Sequence, residues 1–295
     1  MNVKIDDGLV RRLVASQIPQ WKNLPVKPVA QSGWDNRTFH LGDTMLVRLP
    51  SAVEYGAQVE KEQRWLPLLA PLLPLTIPTP LVMGEPSKEF PWSWSVYRWI
   101  EGTSAASSQI PDPREFAQAL AAFLLALQGI DTTNGPLSGP QSFYRGGALA
   151  QYDSQVRQAI AILGDKIAAD TAMQVWQSAL AKTWQNPPVW VHGDISAGNL
   201  LVQDGQLSAV IDFGQLAVGD PACDLAIAWT FFKGESREHF RSYLPYDTQT
   251  WDRARGWALW KALIVSAGFT NPNNYESIRS EQTIRELLAD YQQTS

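Results

Sequence analysis

The stretch V-H-G-D-I-S-A-G-N-L-L-V-Q-D-G-Q-L-S-A-V-I-D-F-G, Val191 to Gly214, constrains this chain more than any other. It sets His192, Asp194 and Asn199 ahead of one apolar run and Asp212 behind another, with Asp204-Gly205 between the two runs. Asp-Gly in that place predicts a two-residue hairpin, because a type I′ turn needs positive φ at both central positions. Register follows from the turn: Gln203 pairs with Gln206, and Asn199 falls opposite Val210. Side chains alternate faces at period two, so Asn199 and Asp212 point to one side as diagonal neighbours. Their Cα atoms then lie roughly 7–8 Å apart. Such a gap suits a shared cation, with an oxygen reaching in from each side at about 2.1 Å for magnesium. Asp194, in the loop leading to the first strand, faces the same space without needing to be a third ligand. Oxygen donors with no thiolate and a single nearby histidine favour magnesium over zinc. Water and substrate phosphates usually complete a magnesium shell of this kind.

Taken singly, an Asp or Asn near a turn more often bonds local backbone, and His192 suits a satisfied core position. The set weighs against that reading. H-G-D-x4-N followed by I-D-F-G fixes eight positions, a coincidence expected at random less than about once in 10⁷.

The rest of the chain divides in two. Apolar positions at Leu9, Val10, Leu13, Val14 and Ile18 predict a helix over Asp6 to Ile18. Val29 to Leu49 reads as short strands around the turns Q-S-G-W-D-N and L-G-D-T, and a helix is predicted from about Val53 to Leu69. Pro71 to Pro80 should be extended. The aromatic, β-branched run Trp92 to Ile100 predicts a strand that ends at Glu101-Gly102. A tract of Ser, Ala and Pro follows, and the domain boundary is set there. Beyond it helices are predicted over Arg114–Gln128, Gln151–Ile162, Thr171–Trp184, Pro221–Phe232, Trp251–Ala267 and Ile278–Tyr291, with strands only around the opening motif. The class is therefore α+β: a small strand-rich part over 1–101 and a larger helical part over 102–295. A cleft between unequal parts is a usual place for a ligand.

Composition bounds the function. A net charge of −5 excludes a general nucleic-acid binder, which needs basic surface to displace counterions. The apolar run Ala119 to Leu127 is too short to span a bilayer, so no membrane partner is expected. Cys223 is the sole cysteine, which excludes an internal disulfide and a multi-thiolate zinc site. The start M-N-V-K-I-D-D-G lacks the regions of a signal peptide, and a cytoplasmic setting is expected. Of the 13 Trp, most should fill core, with some left to grip an organic ligand.

H-G-D-I-S-A-G-N-L-L-V, I-D-F-G and G-D-P-A-C-D-L-A (Gly219 to Ala226) resemble the signature run of the aminoglycoside phosphotransferases. These small-molecule kinases share a protein-kinase-like fold with choline kinases and macrolide phosphotransferases. The likeness is specific from Val191 to about Ala226, fainter from Gly33 to Gly102, and vague in the remaining helices. It implies a bilobal α+β fold, with a small antiparallel-sheet N-terminal lobe and a larger, mainly helical C-terminal lobe. It also implies ATP as donor, with GTP left open, and Mg2+ as the metal. Asp194 is then the catalytic base, and Asn199 and Asp212 are the magnesium ligands, in agreement with the hairpin geometry. His192 and Asp224 would brace the loop, and Asp220 would cap the helix begun by Pro221.

In M-L-V-R-L-P the resemblance puts Arg48 where the aminoglycoside enzymes usually carry a phosphate-binding lysine, a departure similar to the V-L-R form of the macrolide enzymes. Arginine forks onto phosphate oxygens, though with other geometry than lysine. Its implied carboxylate partner on the next helix is Glu62, with Glu60 second. Q-S-G-W-D-N takes the place of the loop over the phosphates, putting Ser32 and Gly33 beside them. V-Y-R-W-I-E-G takes the adenine on the backbone of Arg98 and Ile100.

The expected activity is transfer of the γ-phosphate to a hydroxyl of a small-molecule acceptor, an aminoglycoside-type antibiotic first, by a monomer or weak dimer. The alternatives are another hydroxylated acceptor (macrolide, amino alcohol, sugar) or a catalytically silent nucleotide-binding module. The acceptor pocket is expected in the helical part, around F-F-K-G-E-S-R-E and the last helices. Glu235 and Glu238 read as a solvated face before they read as partners for a polyamine. Tyr243, Trp257 and Trp260 suit sugar stacking and core equally.

Overall fold

The computed structural model describes residues 3–30, 35–270, 272 and 274–294. Its first lobe opens with α1 (Asp7–Gln17), capped by the Asp6 carboxylate accepting the Leu9 N–H at 2.9 Å. The strands β1 (Val26–Pro28), β2 (Asn36–Leu41), β3 (Met45–Pro50), β4 (Pro80–Gly84) and β5 (Trp94–Arg98) form one antiparallel sheet in the order β1-β2-β3-β5-β4. Leu9, Val10, Leu13 and Val14 of α1 pack with Phe39, Leu41, Val47, Leu49 and Val96 in a single buried cluster. Between β3 and β4 the chain makes a short 3₁₀ turn and then α2 (Gly56–Leu69). The predicted helix therefore starts one turn late. The extended reading of 71–80 also needs correction at its start, where a 3₁₀ turn covers Ala70–Leu72 with Pro71 in its first positions. Pro71 is tolerated there because the first turn of a helix has no use for its missing N–H.

α2 links the lobes. Its Trp65, Leu66 and Leu69 pack into the core of the helical lobe, and the Trp65 ring meets Trp190 edge-on with centroids 4.9 Å apart. After β5 the two-residue strand β6 (Thr103–Ser104), which the sequence did not suggest, leads to α3 (Pro113–Gln128). Then come α4 (Asp153–Leu163) and α5 (Ala169–Leu180). The helix expected to reach Trp184 stops at Leu180, ahead of N-P-P at 186–188.

β7 (Val189–Val191), β8 (Leu200–Gln203), β9 (Gln206–Val210) and β10 (Ala217–Gly219) follow; β7 pairs with β10, and β8 lies between β6 and β9. The stretch expected as one helix over Pro221–Phe232 is two short ones, α6 (Ala222–Leu225) and α7 (Ile227–Thr230). α8 (Gly234–Ser242) was not expected, because G-E-S-R-E-H-F-R-S carries too few apolar residues to show a period. α9 (Thr248–Ser266) and α10 (Asn274–Thr294) close the fold. α9 is buried on nearly every side, as a helix crossing the middle of a lobe must be. Trp176 and Trp229 are fully buried against it. No helix among the described residues is long and apolar enough to cross a membrane.

The hairpin turn matches its sequence: Asp204 and Gly205 have φ of 52° and 81°, and Gln203 pairs with Gln206. The register beyond it does not. Ladder pairing shifts at Leu201/Val202, leaving Ser208 as an extra residue, so Leu200 rather than Asn199 stands opposite Val210. The Ser208 hydroxyl donates to the Leu201 carbonyl at 3.1 Å, and the Ser208 carbonyl accepts from Thr76 N–H at 3.4 Å. These outside bonds hold the bulge. Asn199 consequently lies in a 3₁₀ turn (Ala197–Asn199), its carbonyl accepting the Ile211 N–H at 2.9 Å.

Candidate active site

β7 delivers the chain to a loop whose shape rests on Gly193 and Asp224. Gly193 has φ of +85°, and a Cβ there would sit 2.5 Å from the Gln215 carbonyl oxygen, so only glycine fits. The buried Asp224 carboxylate accepts the His192 N–H at 2.7 Å and the Gly193 N–H at 2.8 Å, one on each oxygen. Burial pushes its pKa up to about 7 in spite of these two bonds. His192 is wholly buried, which holds its pKa below the ordinary value. One ring nitrogen, Nε2, lies 3.0 Å from the Ile211 carbonyl and the other, Nδ1, accepts the Asp194 N–H at 3.2 Å. With both nitrogens committed, His192 braces the loop and has none left for a metal.

Asp194 stands at the end of this brace. Its Oδ2 accepts from Asn199 Nδ2 at 3.0 Å, and its Oδ1 accepts from Lys261 Nζ of α9 at 3.1 Å. Burial works to raise its pKa, but the cations of Lys261 and Arg145 outweigh burial and hold the carboxyl below the ordinary value. It is therefore an ionised carboxylate with a lone pair still open on each oxygen.

Across the cleft β3 places Arg48 between two carboxylates. Its NH1 lies 3.3 Å from Glu62 Oε1 of α2, and its NH2 lies 2.8 Å from Asp212 Oδ1. The Tyr97 hydroxyl donates to the other side of Glu62. Burial disfavours the Arg48 charge, but Glu62 and Asp212 outweigh it and raise its pKa. Glu62 rather than Glu60 is thus the partner of Arg48, as the resemblance implied. Asp212 itself takes the left-handed conformation, φ 68° and ψ 68°.

Asn199 and Asp212 fit a hard divalent ion by their donor chemistry. Both Asn199 bonds to Asp194, to the carbonyl at 2.9 Å and to the side chain, are made by its Nδ2, which leaves the amide oxygen as the group to offer. Asp212 keeps Oδ2 beyond its bond to Arg48. Among the described residues no group of three or more His, Cys, Asp and Glu could hold a metal alone. An ion here would need substrate oxygens, which is how magnesium is usually held.

Three residues of this region escaped the sequence reading. Lys261 and Arg145 flank Asp194 from elements distant in the chain. Asp35, at the edge of the sheet, has a carboxyl pushed up to about 6 by burial and by the neighbouring charges of Asp212 and Asp194. It lies in the field of both, so the Arg48–Asp212 pair and the Asp194–Asn199 pair border one space. Ser32 and Gly33 lie outside the described residues. The Arg98 N–H is already given to the Thr79 carbonyl at 3.0 Å, so an adenine contact at Arg98 falls to its carbonyl. The F-F-K-G-E-S-R-E segment does not line the cleft beside Asp194. That cleft is lined by Arg145, Thr230, Trp257, Trp260 and Lys261, among others, whereas Glu235 and Glu238 share a separate surface concavity with Arg114 and His239.

The chain matches the model of the phosphotransferase enzyme family over residues 26–257. It is 31% identical over 144 residues to an aminoglycoside 3′-phosphotransferase of Escherichia coli, covering 46% of this chain and 52% of that one. A homologue of the same description from Salmonella typhimurium is 30% identical over 144 residues. The aligned segment thus spans about half the length of these curated relatives. Among solved structures, the GDP and kanamycin complex of APH(2″)-IIIa superposes with a TM-score of 0.75 at 18% identity, covering 95% of this chain and 98% of that one. Macrolide 2′-phosphotransferase type I gives 0.62 at 20% identity, covering 96% and 99%. At such identities these two structures speak for the fold, a sheet lobe joined to a helical lobe.

Proposed function

Because the chain belongs to the phosphotransferase enzyme family, we propose that it moves the γ-phosphoryl group of ATP to a hydroxyl of a small molecule, an aminoglycoside-type antibiotic first among acceptors. The observation that carries this is the ionised Asp194 carboxylate, clamped by Asn199 on one oxygen and Lys261 on the other, facing a cleft across from the Arg48–Asp212 pair. In this reading residues 1–101 hold the nucleotide and 102–295 carry the catalytic loop and the acceptor. Phosphoryl transfer has a loose transition state, so positioning and charge neutralisation supply most of the rate. Asp194 accepts the acceptor's hydroxyl proton and aims its oxygen. Arg48 binds phosphate oxygens while Glu62 and Asp212 hold its fork. Asn199 and Asp212 would hold Mg2+, which when bound neutralises charge on the phosphates. Ile100 N–H and the Arg98 carbonyl would meet the base, and Ser32 and Gly33 would cover the phosphates.

Relatives in solved complexes carry GDP or ADP, so both ATP and GTP belong in the test. Magnesium-dependent turnover should rise severalfold with one class of acceptor in a panel of kanamycin, a macrolide, an amino alcohol and a sugar. Nucleotide binding with no stimulation by any of them would instead mark a silent binding module. A second reading, a hydroxyl acceptor that is not a polyamine, is favoured by the cations Lys261 and Arg145 beside Asp194.

Arg48 gives a further check within the same assay. Arg48→Ala leaves the buried Glu62 and the half-buried Asp212 without their shared cation, and should lower kcat/KM for the nucleotide about a hundredfold, ~2.7 kcal/mol. Arg48→Lys restores charge without the fork and should keep activity within about tenfold of the parent. Full activity in Arg48→Ala would remove this residue from the site.

A further inference from the structure

The proposed function leaves open which part of an acceptor meets Asp194, and the cleft there is built from donors. Arg145 stacks over Trp260 with its guanidinium carbon 4.5 Å from the ring centroid, and over Trp257 at 5.2 Å. The hydrogen bond of its guanidinium is to the Tyr152 hydroxyl at 3.4 Å, and among the described residues no carboxylate forms an ion pair with it. Lys261 pairs with Asp194, and the two charges cancel. Arg145 therefore leaves the cleft with a net positive charge. Trp257 lines the same cleft at 2% exposure, and its indole N–H has no hydrogen-bond partner. A buried donor without a partner calls for an acceptor atom. Arg, Lys and the Trp indole have no acceptor atoms at all.

Resting on the reading of Asp194 as the residue that receives the acceptor hydroxyl, we propose that Arg145, Trp257 and Lys261 form a clamp for an oxygen-bearing substituent next to that hydroxyl. A carboxylate suits the clamp best, a neutral hydroxyl or ether next, and an ammonium least. An ammonium beside the reacting hydroxyl would bring a third cation to a cleft whose described lining residues supply one carboxylate, Asp194, and its N–H groups would face donors. Polyamine acceptors are then turned so that their ammonium groups lie away from Arg145 and Lys261.

Matched single-ring probes separate charge from shape. With magnesium and a non-hydrolysable ATP analogue present, ligand-observed NMR should rank glucuronate above glucose and glucose above glucosamine, by about tenfold per step at low salt. Lys261 is one-third exposed, so Lys261→Glu should fold, as its melting temperature will show, and should reverse the order, placing glucosamine above glucuronate. A merely structural role for Lys261 would weaken all three alike. Lys261→Gln, a smaller change, should bring glucuronate down to the level of glucose. Glucosamine binding as tightly as glucuronate to the parent protein, an unchanged order in both variants, or no saturable binding of any probe overturns the clamp. The kinase reading is judged apart from it, by magnesium-dependent binding of the nucleotide and acceptor-stimulated turnover.

Discussion

Asp194→Asn is expected to lower kcat by about 10³-fold while leaving nucleotide affinity within about threefold of the parent. The substitution conserves shape and removes the charge, so its effect isolates what the carboxylate does. In the parent, one oxygen accepts from Asn199 and the other from Lys261. An asparagine has a single oxygen. Turned toward Lys261, it sets its NH2 against the Asn199 NH2; turned toward Asn199, it sets that NH2 against the Lys261 ammonium. Either way a donor meets a donor, and the acceptor hydroxyl would lose the group proposed to take its proton. The proposed nucleotide side, Arg48 with Glu62 and Asp212, does not bond Asp194. Affinity for magnesium–ATP should therefore survive. Single-turnover kinetics alongside equilibrium nucleotide binding would decide it, and a variant turning over within tenfold of the parent would show that another group receives the proton.

What the sequence revealed and what it hid follow from the range of the contacts. The Asp204-Gly205 turn is a local matter of two positive φ angles, and local chemistry suffices to read it. The bulge at Ser208 is not local. It is held by bonds to Leu201 and to Thr76, and no residue in L-S-A-V announces it. Its consequence is specific. Asn199 leaves the strand for a 3₁₀ turn, and the side chain is aimed by Asp194 rather than by the alternation of a strand. Glu62 was found through the family resemblance, with Glu60 as the second choice, and the structure shows it beside Arg48. Lys261 could not, because 67 positions separate it from Asp194 and α9 reads as a core helix with one lysine in it. Arg145 lies in a loop of glycines and aromatics with no period to place it. Asp35 was visible in Q-S-G-W-D-N, but only its proximity to Asp194 and Asp212 gives it a meaning.

Asp212→Ala should weaken magnesium–ATP binding by about a hundredfold or more, and the magnesium dependence of binding should disappear with it. Two losses coincide at this residue. The proposed metal loses an anionic donor, and Arg48 loses the partner that lies 2.8 Å from its NH2. Arg48 keeps Glu62 as a partner, so this second loss costs less than the 2–5 kcal/mol of a buried charge left wholly unpaired. A smaller, separate cost is conformational, because φ of 68° is left-handed, where alanine is disfavoured by roughly 1–2 kcal/mol. Asp212→Asn separates these contributions. Asparagine tolerates the left-handed conformation and keeps one neutral oxygen, so melting temperature should recover while magnesium dependence does not. Titrations of ATP with magnesium in excess and with a chelator give the comparison: the parent should bind far more tightly with the ion, and both variants should bind alike in its presence and absence. If Asp212→Asn keeps the parent's dependence on magnesium, the ion is held by something other than this carboxylate.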